Sequence, residues 1–407
     1  MSRRVVVTGM GVVSPLGTSL ATSLEGLREG RHGIVKMNEW DQISHLNTRL
    51  AAPSNLLAHE IPRKASRTMG RVSLLATLAT EQAIESAGLS KDELTSGAVG
   101  LAYGSTHGSS SANEAWVRKL ITNNGFLGLA STTYLKFMSH TTAANLALHY
   151  GLRGRVLTTC AACVSASQAI GYAYENIKHG LADVMIAGGA EELHFSHAGV
   201  FDIMYATSCL FNDTPELSPR PFDAKRDGLV VGEGAGTFVL EEYERAKAAG
   251  KTIYAEVIGF GTNCDGTHAT SPSSEGMRGA MELSLRDASL SADDIGYVNA
   301  HATGTPVGDI AESQATHAVF GDRVPVSSLK GHMGHTLGAC GAIEAALTIQ
   351  MMAGGWLAPT RNLVEADPKC APLDYVMGEP RPAKIRTVMS NKFAFGGLNT
   401  SLIFRRV

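Results

Sequence analysis

Three residues stand out by type and setting. Cys163 closes the run Arg155-Val-Leu-Thr-Thr-Cys160-Ala-Ala-Cys163, a strand pattern followed at once by the small side chains and helical spacing of Val164-Ser-Ala-Ser-Gln-Ala-Ile-Gly171. A thiol at a helix start meets unpaired backbone N–H groups and the positive end of the helix dipole. Both favour thiolate below the free pKa of about 8.5 and suit the residue to covalent catalysis. His301 ends the apolar run Tyr297-Val-Asn-Ala-His301 where Gly and small hydroxyl residues begin, and His335 lies in the glycine-rich turn Lys330-Gly-His-Met-Gly-His335 before another helix pattern. Cys160 and Cys163 also spell C-x-x-C, but no second Cys pair or suitably spaced Cys/His pair follows, so no metal site is expected. From its own segment alone, Cys163 fits a nucleophile and a buried structural thiol equally; its partners decide.

The elements that must position these residues alternate β-branched runs with Ala- and Leu-rich helical segments, the pattern of layered α/β folds. The spacing predicts strands over 4–8, 98–103, 155–159, 183–187 and 254–258, and helices over 72–87 and 164–179. The reactive residues fall at strand ends, which in such folds line the crevice where ligands bind. The order then repeats. Gly-Met-Gly at 9–11 follows the first strand as Gly-Phe-Gly at 259–261 follows the one over 254–258. Ala87-Gly-Leu-Ser-Lys-Asp-Glu-Leu94 matches Ala288-Ser-Leu-Ser-Ala-Asp-Asp-Ile295, and Gly234-Ala-Gly-Thr-Phe-Val-Leu240 matches Gly397-Leu-Asn-Thr-Ser-Leu-Ile403. Three matches in one order predict an internal duplication into halves 1–250 and 251–407, with the site at their seam.

Composition bounds the function. Among 407 residues, 44 are Gly, about 11% against a usual ~7%, and 18% are charged against a usual ~25%. The chain turns tightly and buries much of itself. A net charge of −3 supplies no general field for nucleic acid or anionic lipid, so neither is an expected partner. The six cysteines are scattered, the N-terminal apolar run is broken by Gly9 and Gly11, and no run of about 20 apolar residues is present. A reducing cytoplasm without membrane insertion is the expected setting.

The segments around Cys163, His301 and His335 resemble the Cys-His-His set of the β-ketoacyl-acyl-carrier-protein synthases, the elongating condensing enzymes of the thiolase fold. The resemblance spans nearly the whole chain. It includes Ala182-Asp-Val-Met-Ile-Ala-Gly-Gly-Ala190, Arg220-Pro-Phe-Asp223, Asp227-Gly-Leu-Val-Val-Gly-Glu-Gly-Ala-Gly236 and Phe393-Ala-Phe-Gly-Gly-Leu-Asn399. It implies an α/β thiolase-like fold of two pseudo-symmetric halves in α-β-α-β-α layers. Spacing to Gly171 and Gly180 marks Cys163 as the family's nucleophile and leaves Cys160 as a strand-end core residue. The stretches 38–53 and 67–73 look like ketosynthases of bacterial aryl-polyene and related type II polyketide clusters.

The resemblance implies a decarboxylative Claisen condensation in fatty acid or type II polyketide/polyene biosynthesis, with substrates carried on the phosphopantetheine arm of acyl carrier protein and no further cofactor. Cys163 would hold the acyl group, and neutral His301 and His335 would stabilise the enolate from malonyl decarboxylation. The N–H groups of Cys163 and Phe395 would form the oxyanion hole, with Phe395 also a gate. Lys330 would support His335 and pair with a buried acid, for which Glu344 is the candidate. Thr303 and Thr305 would bind pantetheine, and the basic stretch Arg63, Lys64, Arg67 and Arg71, at roughly helical spacing, would dock the carrier protein. A homodimer is implied, or a heterodimer with a chain-length-factor-like subunit. His332 and Met333 depart from the family pattern and are expected to reshape the pocket around His335. The alternative is a thiolase-fold partner that binds carrier protein, or a malonyl decarboxylase, without condensing activity.

Overall fold

The computed structural model describes residues 3–55, 61–62 and 64–407. Eleven strands form one sheet. In chain order they are β1 (Val5–Val13), β2 (Val99–Gly104), β3 (Val156–Thr158), β4 (Val184–Glu191), β5 (Gly234–Glu242), β6 (Ala255–Cys264), β7 (Tyr297–Asn299), β8 (Pro325–Ser327), β9 (Asp374–Tyr375), β10 (Thr387–Ala394) and β11 (Leu398–Arg405). Their order across the sheet is β9-β8-β7-β10-β11-β6-β1-β5-β4-β2-β3. The sheet reads the same from its middle outwards. β1 and β6 meet antiparallel through only Val5 to Val7, and on each side follow two antiparallel strands and then parallel ones, two beyond β1 and three beyond β6, where β9 is the extra edge strand.

Helices complete five layers. α1 (Arg71–Ala87) and α2 (Thr141–Tyr150) cover the outer face of the first half-sheet, and α4 (Ser274–Ala288) with α5 (Pro306–Phe320) covers the second. Between the half-sheets lie α3 (Ser165–Lys178) and α7 (Cys340–Gly354), each touching strands of both. Their sequences are rich in Ala, Ser and Gly because two neighbours must approach at once: a Cβ on Gly171 would lie 2.3 Å from the Phe260 ring. The stretch Leu337–Gly354 is apolar and long enough to cross a membrane, yet it is 83% buried, which makes it the core helix of this sandwich.

The repeated sequence segments occupy equivalent places. α1 and α4 both end on a left-handed residue, Gly88 (φ 61°) and Ser289 (φ 54°), and each is followed by a capping box, Ser90 with Glu93 and Ser291 with Asp294. The Gly-x-Gly pairs, however, lie inside strands rather than after them. A Cβ on Gly9 or Gly11 would come within 2.2 or 2.0 Å of the carbonyl oxygens of Ala83 and Ala79, and Gly259 and Gly261 face Ser284 and Ala280 in the same way. Glycine here lets an outer helix press onto the strand, so β1 and β6 run on to Val13 and Cys264. Cys160 also departs from expectation. It is exposed, because β3 is the edge strand of the sheet and Val156 on it is itself exposed.

Candidate active site

Cys163 sits in a 3₁₀ turn, Ala162–Val164, that leads directly into α3. Ala162 holds a left-handed backbone (φ 48°), a conformation that costs a non-glycine residue roughly 1–3 kcal/mol and clusters at functional sites. The second half repeats the device: Leu337 (φ 46°) opens the 3₁₀ turn before α7. The loop between β8 and that turn carries a short helix, α6 (Lys330–Met333), which stops at Gly334 (φ 68°) and presents His335. Its backbone is fixed from the first half, since the His335 N–H donates to the Val230 carbonyl at 2.7 Å and the His335 carbonyl accepts from Gly232.

These elements bring the three residues together. His335 Nε2 lies 3.0 Å from Cys163 Sγ, and the His301 and His335 rings stand edge to face with centroids 5.0 Å apart. All three are buried and line one cavity of about 420 Å³, together with Thr303, Thr305 and Phe395. The cavity crosses the seam: Cys163 comes from the first half and the other five from the second.

Burial governs the electrostatics. It holds both imidazoles well below the usual 6.5, with the Lys330 charge acting in the same direction, so both are neutral at neutral pH. The Nδ1 atoms of both rings are buried without a partner among the described residues. A buried N–H left unpaired is costlier than an unpaired acceptor, so the ring proton is assigned to Nε2. For His335 that proton points at Cys163. The thiol itself is pushed up from its ordinary value, by burial first and by Cys340 next, against the opposing charge of Lys330. This corrects the expected thiolate: loss of solvent outweighs the helix start, and the resting nucleophile is protonated.

Beneath the histidines lies a buried charge cluster. Lys330 Nζ donates to Glu344 Oε1 at 2.7 Å, with both side chains essentially inaccessible. Lys392, which the sequence reading passed over, approaches the other oxygen, Glu344 Oε2, at 3.0 Å. Glu312 was missed as well. It accepts from the N–H groups of His301 at 2.7 Å and Ala302 at 2.6 Å and so fixes the loop that begins at His301. Asp309 does the same for Thr303 and Gly304. Two carboxylates in the early turns of a helix that opens with Pro306 were the available signal. Burial raises Glu312 to about 7 and Asp309 to about 6.

The remaining candidates divide. The hydroxyls of Thr303 and Thr305 are 3.1 Å apart at the cavity wall. Phe395 is part exposed, packs on Phe201 at 5.4 Å, and precedes Gly396 (φ 83°) and Gly397 (φ 73°), so its loop can turn sharply. The basic stretch is not one helical face. Arg63 lies outside the described residues, Lys64 and Arg67 are exposed in and around the 3₁₀ turn Ser66–Thr68, and α1 starts only at Arg71. Arg71 grips buried Glu233 through two hydrogen bonds of 2.8 and 2.6 Å, so its charge is engaged inside the protein rather than free for docking. His332 turns away from the pocket: its ring nitrogens face the carbonyls of Arg31 and Pro359, and Met333 packs into the core. Neither lines the cavity.

Comparisons with known proteins give the family and the fold. Residues 2–246 match the β-ketoacyl synthase N-terminal domain and residues 254–364 the C-terminal domain. The chain is 37% identical over 406 residues to 3-oxoacyl-[acyl-carrier-protein] synthase 1 of Haemophilus influenzae, covering 99% of each. A crystal structure of a β-ketoacyl synthase from Burkholderia phymatum superposes with a TM-score of 0.96 at 54% identity, covering 100% of both chains. The ishigamide ketosynthase/chain length factor superposes with a TM-score of 0.90 at 30% identity, again over 100% of both.

Proposed function

The chain belongs to the β-ketoacyl synthase family, and on that premise we propose how its residues divide the family's condensation between them. The enzyme is a ketosynthase: it transfers an acyl group and extends it by two carbons from malonyl-acyl-carrier protein. Cys163 exchanges its thiol proton for the acyl group of acyl-carrier protein, releasing the carrier thiol and leaving a thioester on the enzyme. Malonyl-carrier protein then loses CO2, and the Nε2–H groups of His301 and His335 hold the enolate oxygen that results. The enolate carbon attacks the Cys163 thioester, the carbon–sulfur bond breaks, and the freed sulfur takes one proton as the β-ketoacyl product leaves. The N–H groups of Cys163 and Phe395 serve as the oxyanion hole for the acyl steps.

The observation that carries this reading is the 3.0 Å approach of His335 to Cys163 beside a second neutral imidazole, all facing one buried cavity. Thr303 and Thr305 hydrogen-bond the pantetheine arm, Phe395 gates the acyl and malonyl positions, and Lys64 with Arg67 meets the acidic carrier protein. No metal or bound cofactor takes part. The enzyme works in the cytoplasm in an aryl-polyene or related type II polyketide pathway, as a homodimer or paired with a chain-length-factor-like subunit. The ishigamide ketosynthase/chain length factor supports the paired form. Incubation with acyl-carrier protein, digestion and mass spectrometry tests the first step: the acyl mass on the Cys163 peptide is expected, and acylation elsewhere or none refutes it.

A further inference from the structure

Lys392 is among the most deeply buried large side chains of the protein, and it sits in the middle of β10, where a charged residue needs a reason. Its ammonium spends all three N–H groups on oxygens: Asn299 Oδ1 at 2.8 Å, the Asn391 carbonyl at 2.8 Å and Ser390 Oγ at 3.2 Å. Glu344 Oε2 closes the fourth side at 3.0 Å. Four oxygens around one nitrogen form a cage for a cation, and the chain supplies that cation from its own strand. Each wall of the cage leads to a working part. Asn299 ends β7 two residues before His301, Glu344 on α7 holds Lys330 ahead of His335, and Lys392 itself precedes Phe393, whose ring meets His301 edge on at 6.2 Å.

We propose that Lys392 is a positioning residue of the condensation site, clamping the strand that leads to His301 to the helix that carries Glu344 and so holding both imidazoles in register for the malonyl half-reaction. The inference rests on the reading of His301 and His335 given above. The two lysines share the one carboxyl group of Glu344, Lys330 at Oε1 and Lys392 at Oε2. Other ionisable groups around the site are Glu312 behind the His301 backbone, Glu191 near the turn before α7, and the thiols of Cys163 and Cys340. Lys330 and Lys392 both disfavour imidazolium at His301 and His335. Deleting the Lys392 charge therefore does two things: it loosens the clamp and makes the imidazoles easier to protonate.

The test uses the full-length enzyme and its Lys392→Met variant, assayed separately for acylation of Cys163 by acyl-carrier protein and for elongation with malonyl-carrier protein. Acylation is expected to stay within about twofold while elongation falls about tenfold or more, in kcat rather than KM. The acid limb of the elongation profile should move to higher pH. Ammonium chloride, whose cation fits the vacated cage, should restore much of the loss, and tetramethylammonium chloride at equal ionic strength should not. Unchanged elongation, or parallel loss of both half-reactions without ammonium rescue, overturns the proposal. If Lys392→Met does not fold, Ser390→Ala removes one cage oxygen and should slow elongation severalfold with acylation preserved; an unaltered rate there also overturns it. Wild-type enzyme that fails to elongate would instead refute the condensing reading itself.

Discussion

At the scale of residues, the site assigns acyl transfer to one side chain and carbanion formation to two others, and substitutions should separate these. Cys163→Gln places an amide where an acylated sulfur would be, so it should abolish condensation yet still decarboxylate malonyl-carrier protein; loss of both reactions would contradict the division. His335→Ala should lower decarboxylation by about 10²–10³-fold, the usual cost of one oxyanion donor. The pH dependence has a definite sign. A donor imidazole must be neutral, and burial depresses both rings below 6.5. Decarboxylation by enzyme already acylated at Cys163 should therefore stay level as pH falls from 7 through about 6.5, and a fall centred there, as for a solvated histidine, would contradict the buried geometry. Legibility at this scale followed local context. Cys163, His301 and His335 declared themselves at strand ends where small residues begin, and Glu312 left a local signal in the helix after Pro306, whereas Lys392 acts through Asn299 and Glu344, far away in sequence, which no local pattern displays.

Elements set how close these residues can come, and the glycines inside strands are the clearest instance. The Gly-x-Gly pairs at 9–11 and 259–261 were visible as repeats, but their reading as strand ends failed because glycine's role there is to admit a helix rather than to turn the chain. A Cβ at Gly11 would meet the Ala79 carbonyl oxygen at 2.0 Å, and one at Gly261 the Ala280 carbonyl oxygen at 2.1 Å. A helix backbone cannot step aside as a flexible side chain can. Gly11→Ala and Gly261→Ala should each destabilise the fold by about 1–3 kcal/mol, measured by thermal or denaturant unfolding. Equal stability of either variant would show that the outer helix can shift. The paired capping boxes at 90–93 and 291–294 were legible because they are local, and the short pairing of β1 with β6 through Val5 to Val7 was not, because it depends on how the halves meet.

For the whole molecule, the fold places Cys163 from one side of the sheet's centre against His301 and His335 from the other, and carrier protein must reach that seam from outside. Arg67 and Arg71 of the basic stretch now predict different outcomes. Arg67→Glu should raise the KM for acyl-carrier protein while sparing turnover of a free acyl thioester, since Arg67 is exposed. Arg71→Glu should lower thermal stability instead, because it sets a second carboxylate against buried Glu233. An unchanged KM for the first, or an unchanged melting temperature for the second, would remove the corresponding assignment. The central claim, that Cys163 hands its acyl group to a carbanion held by His301 and His335, is tested most directly in a single turnover. Enzyme acylated on Cys163 is mixed with malonyl-carrier protein labelled at the methylene carbon, and enzyme and products are weighed. The account predicts unlabelled CO2, a free Cys163 thiol and a β-ketoacyl-carrier protein two carbons longer that carries the label; CO2 with labelled acetyl-carrier protein and an enzyme still acylated would contradict it.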